Sequence, residues 1–202
     1  EGVLESFGAW LPLADLLERR SRLIKKGSSK ALKKAVAIYT DEVPQREGLI
    51  RILTLQLEGD FERSVLDRLT IELEEEGLWS DLKHVLETHG TTPDDLLRVI
   101  RLERLMGEPE TVTLVGLYER IWRLGGRCED YWAPLRGFYR HSEDWTALES
   151  LATYVAAEAD EDSVRIEANI ERGLLAAKDG RDAIEIWRNV LSYAPHHMTA
   201  IE

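Results

Sequence analysis

The sequence predicts an all-α chain, built as an α-solenoid of about six antiparallel helix pairs. Three observations carry this. Apolar residues recur at helical spacing almost from end to end, and no stretch shows the period of two that a half-buried strand requires. The helical stretches are divided by connections of roughly two to five residues, short enough to leave successive helices as antiparallel neighbours. Finally, one apolar phrase recurs at wide spacing. "GAWLPLADLLERR" (residues 8–20) places Leu13 and then Leu16–Leu17 after Trp10. It returns as Trp79–Leu82–Val85–Leu86 and as Trp145–Leu148–Leu151, with 69 positions between the first two tryptophans and 66 between the next.

Taken in chain order, the expected helices cover 1–7, 10–25, 28–42, 45–58, 60–76, 78–89, 93–106, 109–125, 128–140, 143–158, 162–178 and 181–194. A thirteenth begins near His197. In "DFERSVLDRLTIELEEEG", Phe61, Val65, Leu66, Leu69 and Leu73 share one face, with Asp60 as N-cap and Gly77 as the stop. "TTPDDLLRVIRLERLMG" is marked more strongly. Thr92 caps, Pro93 suits the first helical position, Asp95 completes a variant of the capping box, and Gly107 ends the run. The next stretch, "EPETVTLVGLYERIWRLGG", begins with Pro109 and stops at Gly125–Gly126. Pairing the helices gives a single repeat domain over 1–202, with units near 1–25, 28–58, 60–89, 93–125, 128–158 and 162–195. Residues 1–7 resemble the tail of a first helix and "HHMTAIE" the start of another. Both ends are therefore expected to be open, as in a segment of a longer array.

Composition narrows the function. A chain of 202 residues with 44% hydrophobic and 32% charged residues and only 6 Pro has the balance of a soluble helical protein. The net charge of −12 argues against nucleic-acid binding, which needs basic faces to displace counterions. No apolar run approaches the ~20 residues of a membrane span, and residues 1–20 carry no signal-peptide pattern. The single Cys128 forms no intramolecular disulfide, which favours a reducing compartment such as the cytoplasm. Charge is uneven along the chain. Residues 18–34 hold eight Lys or Arg, among them Lys25, Lys26, Lys30, Lys33 and Lys34, against Glu18 alone. Residues 143–179 hold ten acids against Arg165, Arg172 and Lys178. Such runs are solvated helix faces, or they steer head-to-tail self-association of copies.

The two tryptophan gaps are each close to two periods of ~34 residues, the length of a tetratricopeptide repeat. In "WAPLRGFY", Trp132, Leu135 and Tyr139 stand in the register of that family's first helix, with Arg136 where a small Gly is usual. Trp145, Leu148, Ala152 and Val155 follow on the second helix. "RDAIEIWRNVLSYAPHH" supplies Ala183, then Trp187 in the Phe place, Val190 and Pro195, with Gly173 at the small position of the helix before. In the unit at 63–89, Leu66, Leu69, Thr70 and Leu73 replace the fingerprint residues. The chain thus resembles a degenerate tetratricopeptide array over essentially its whole length.

The resemblance implies a right-handed superhelix in which each recurring Trp opens a second helix, with Trp132, Trp145 and Trp187 in the core. It further implies a concave groove, lined by first helices, that holds a peptide or helix. By register the groove-facing candidates are Val36, Tyr39, Asp67, Ile71, Arg104 and Arg140, together with Ser29, Ser64 and Asp130. The Lys/Asn set that clamps a C-terminal carboxylate in some members is not matched.

No enzyme motif competes with this reading. There is no HExxH, no glycine-rich phosphate loop and no CxxC. His84 and His89 are five apart and so lie on different helix faces, while His196–His197 follow Pro195 at a repeat junction. Glu74, Glu75 and Glu76 end a helix against its dipole, which suggests a basic neighbour. Cys128 starts a helix but has no expected His or Asp partner. No catalytic, cofactor or metal residue is therefore expected. The expected function is a non-catalytic scaffold for a protein or peptide partner. The alternative is an architectural segment of a longer repeat protein that binds elsewhere. An enzyme or metal-dependent sensor is a third reading with no constellation behind it.

Overall fold

A computed structural model of the chain describes residues 4, 8–23, 28–59, 61–107 and 109–197. Among them are eleven α-helices and no strand. They divide into two units, Glu1–Gly90 and Thr91–Glu202. The division falls between the expected repeats at 60–89 and 93–125.

The first unit runs α1 (Trp10–Leu23), α2 (Ser28–Ala37), α3 (Arg46–Gly59), α4 (Arg63–Glu75) and α5 (Trp79–His89), with a π-helical turn, Ile38–Glu42, closing α2. Each helix packs on its neighbour in sequence, and the π turn also touches α1 and α3. The core is a stripe of leucines at helical spacing, from Leu13 and Leu17 through Ile52 and Leu53 to Leu66, Leu69, Leu82 and Leu86.

The second unit runs α6 (Pro93–Met106), α7 (Thr111–Arg123), α8 (Cys128–His141), α9 (Trp145–Glu158), α10 (Asp162–Lys178) and α11 (Ile184–Tyr193). Successive helices again pack together, and α8 additionally meets α10. Such nearest-neighbour packing, in which every hairpin buries its apolar face on the next, is the α-solenoid pattern. Tyr131, Trp132, Leu135, Leu148 and Leu151 fill the core here. No helix among the described residues is long and apolar enough to cross a membrane.

The recurring phrase has a local cause. Trp10, Trp79 and Trp145 are each the first residue of a helix. Two positions earlier stands a residue in the left-handed region: Gly8 (φ +64°), Gly77 (φ +68°) and Glu143 (φ +56°). At Gly77 and Glu143 that conformation closes the preceding helix. The Gly77 amide donates to the Glu74 carbonyl at 3.1 Å and the Leu78 amide to that of Leu73 at 2.9 Å. Glu143 and Asp144 donate likewise to Arg140 and Tyr139 at 3.3 and 2.9 Å. This paired closure satisfies carbonyls that a helix end would otherwise leave bare. Leu13, Leu82 and Leu148, three residues beyond each Trp, are fully buried.

Of the three tryptophans expected in the core, Trp132 alone is fully enclosed. Trp132 is core, at 2% exposure, and its Nε1 donates to Glu167 at 3.1 Å. Trp145 is 37% exposed and is not a core residue. A side chain at a helix's first position leans back over the turn before it. The indole therefore covers the turn, and Lys178 Nζ lies 3.4 Å from its ring centroid. Trp187 is half-buried against Gly173, where an added Cβ would come within 2.5 Å of the ring.

Local signals elsewhere behave as read. Thr92 Oγ1 accepts from the Asp95 amide at 3.3 Å, and Asp95 Oδ2 accepts from the Thr92 amide at 3.1 Å. The last helix starts later than expected, at Ile184, because the Asp182 carboxylate takes up the Ile184 amide at 2.9 Å. The helix expected at 1–7, the one expected from His197, the Asp60 cap, Lys25 and Lys26 lie outside the described residues, Leu4 and His197 apart.

Candidate functional site

A mainly apolar cleft lies in the second unit, where the end of α6 faces α7 and α8. On α7, Thr111, Leu114, Val115 and Tyr118 fall at steps of three and four, and so share one face. On α8, Pro134, Gly137, Phe138 and His141 do the same. The two stripes bound a cleft of about 380 Å³, within the ~300–1,000 Å³ range of ligand-binding clefts. The exposed Gly137 is part of its lining, and an added Cβ there would meet no atom within 4 Å. No acidic residue lines it. Arg104 stands at the rim, where Nη2 donates to the Tyr118 hydroxyl at 2.9 Å. Beside the cleft, at the α6–α7 turn, Leu105 is 69% and Val112 73% exposed.

Of the expected groove residues, only Arg104 belongs to this cleft. Arg140, one helix face away, is committed elsewhere. Its Nε and Nη2 hold both oxygens of the buried Glu171 carboxylate at 2.9 and 2.7 Å. Tyr39 is buried, at the edge of a separate cleft with Thr40, Pro44 and Arg46. It continues the buried stripe of Leu32 and Ala35, and its ring lies where a Cβ on Gly48 would come within 2.6 Å. Val36, Ser29 and Asp130 are half-buried. Ser64, Asp67 and Ile71 share an exposed face of α4, with Asp67 paired to Arg63 at 2.8 Å. Leu114, Pro134, Gly137 and Phe138 were not anticipated. Their signal was present as apolar and small residues off the core stripe, but in "WAPLRGFY" it coincides with the repeat fingerprint.

Part of each charge run is engaged in ion pairs, some between helices about one repeat apart and others within a turn of the same stretch. In the acidic stretch Glu149, Glu161, Asp162, Glu167, Glu171 and Asp179 all have arginine partners, among them Arg181, Arg136 and Arg140. In the basic stretch Lys33 reaches Glu62 at 2.8 Å, and Arg22 pairs with Glu18 at 2.6 Å. Glu18 also holds Arg51 at 2.9 Å. Glu75 and Glu76 meet the expected basic neighbour, Arg46 of α3.

Cys128 and His89 are each engaged in contacts of their own. Burial pushes the Cys128 thiol up from its ordinary pKa, partly countered by a 3.3 Å hydrogen bond to the Tyr131 hydroxyl. It is therefore held as the unreactive thiol. His89 stacks on Phe61 with ring centroids 6.5 Å apart. Among the described residues no three His, Cys, Asp or Glu gather as a metal site would need. Comparison with family models and with curated proteins gives no match.

Proposed function

We propose that the chain is a non-catalytic helical-repeat scaffold of the tetratricopeptide kind, and that the cleft between α6, α7 and α8 receives a protein partner. The observation that carries this is the cleft's chemistry: an apolar floor, a cationic rim at Arg104 and no acid in its lining. It fits an amphipathic helix that inserts apolar side chains at i, i+3 or i+4, and i+7 and carries Asp or Glu beside them. Leu105 and Val112, next in sequence to the lining residues Arg104 and Thr111, are exposed apolar side chains available to the same partner. Leu114, Val115 and Phe138 supply the contact, and the Arg104 guanidinium supplies register and selects against basic partners.

The test is a random peptide library displayed on phage and panned against the 202-residue chain. Enriched peptides are expected to show helical apolar spacing with flanking acids. Gly137→Leu fills the cleft from a position with space for a side chain, and is expected to abolish their binding while the circular dichroism stays unchanged. Arg104→Gln should weaken binding about fivefold, the loss of one exposed charge pair. Absence of enrichment, or binders indifferent to Gly137→Leu, would refute the proposal.

A further inference from the structure

A second concave site, chemically opposite to the first, lies in the same unit between α9, α10 and α11. Its volume is about 330 Å³, and no Asp or Glu lines it although the chain carries a net charge of −12. Arg165, Asn169 and Arg172 stand at i, i+4 and i+7 of α10 and so look the same way. Asn189 and Tyr193 face them from α11.

These groups are arranged rather than merely gathered. The Arg165 guanidinium lies over the Tyr193 ring, 5.6 Å from its centroid. It donates to the Ala159 carbonyl and, at 2.8 Å, to Asp162 on the rim. Asn169 is buried at 4% exposure, and its Nδ2 donates to the Arg165 carbonyl at 3.0 Å. That bond turns Oδ1 toward Arg172, which donates to it from Nη1 at 3.1 Å. Arg172 has no carboxylate partner among the described residues, and the Asn189 amide has no hydrogen-bond partner there either. A half-buried guanidinium aimed by the buried Asn169, with the solvent-exposed Asn189 amide across the site, can meet two oxygens of one anion.

We propose that this site binds an oxyanion, a phosphate or carboxylate group, held by Arg172 with Asn189 opposite and Arg165 adding positive potential. Arg172 contributes paired N–H donors and a full charge, and the Asn189 amide donates from the facing helix. Arg165, half-neutralised by Asp162, raises the local potential without being essential for the contact.

Isothermal titration of the whole chain decides it, with inorganic phosphate in one arm and succinate in the other. Saturable binding is expected in at least one arm, and the arm that saturates identifies the group as phosphate, carboxylate or either. Arg172→Gln should weaken that binding about tenfold, the loss of one charge-assisted pair. Asn189→Ala should weaken it about threefold from a separate helix, so the inference stays testable should the first variant not fold. Failure of both arms to saturate at concentrations up to ~10 mM, near the weakest affinity one such pair gives, would overturn the inference. So would wild-type affinity in both variants.

Discussion

At Trp132 and Trp145 the same residue type, both placed by the repeat fingerprint, has opposite surroundings. Trp132 is enclosed and hydrogen-bonded, and Trp145 covers a turn with Lys178 over its ring. Trp132→Ala is expected to cost ~3–5 kcal/mol, as for other buried aromatics. Trp145→Ala should cost only about 1 kcal/mol, the scale of an exposed cation–π contact with modest burial. Denaturant midpoints of the two variants check this, and equal losses would contradict the assignment. Cys128 gives a second expectation at this scale. Its thiol is buried and held protonated, so a thiol reagent such as dithiobis(nitrobenzoate) should react slowly with the folded chain and rapidly in denaturant. Fast reaction under native conditions would mean that the α8 N-terminus is open. Sequence spacing identified Leu13, Leu82 and Leu148 as core because a helix stripe is a local pattern. It could not separate Trp132 from Trp145, because what covers a side chain is decided by other helices.

Among the elements, the helix ends were the most legible. The Thr92–Asp95 capping box and the Gly77 stop depend on residues within one turn, and both are present. The π-helical turn at Ile38–Glu42 was not legible, since no turn residue marks it. Its presence completes the core stripe through Tyr39. The left-handed stops invite a paired experiment. Gly77→Ala places a Cβ in a conformation that disfavours it and should destabilise by about 1 kcal/mol. Glu143→Gly relieves the same conformation and should stabilise by about 1 kcal/mol. Thermal or urea unfolding gives both signs, and shifts in the same direction would contradict the paired turn geometry.

For the whole molecule, pH is the informative variable. Burial raises the pKa of Tyr131, Tyr139, Tyr39 and Cys128 above their ordinary values. In the unfolded chain a thiol loses its proton near pH ~8.5 and a tyrosine near ~10. The folded chain keeps these protons longer, so the unfolded state gains from deprotonation first. The stability they contribute is present in full below about pH 8.5 and is lost as pH rises further. The thermal midpoint should therefore be flat from about pH 7 to 8 and fall toward pH ~11, whereas an unchanged midpoint would contradict this burial. Fold class was legible at this scale because helical period and short connections are written into the chain itself. The cleft was not, because Arg104, Leu114 and Phe138 come together only through the packing of three helices. The measurement that tests it most directly is an amide chemical-shift map of the full chain titrated with a library-selected peptide. The account predicts saturable shifts centred on Arg104, Leu114, Ala133, Gly137 and Phe138. Shifts confined to the α4 face around Asp67 and Ile71, or to α9–α11, would contradict it.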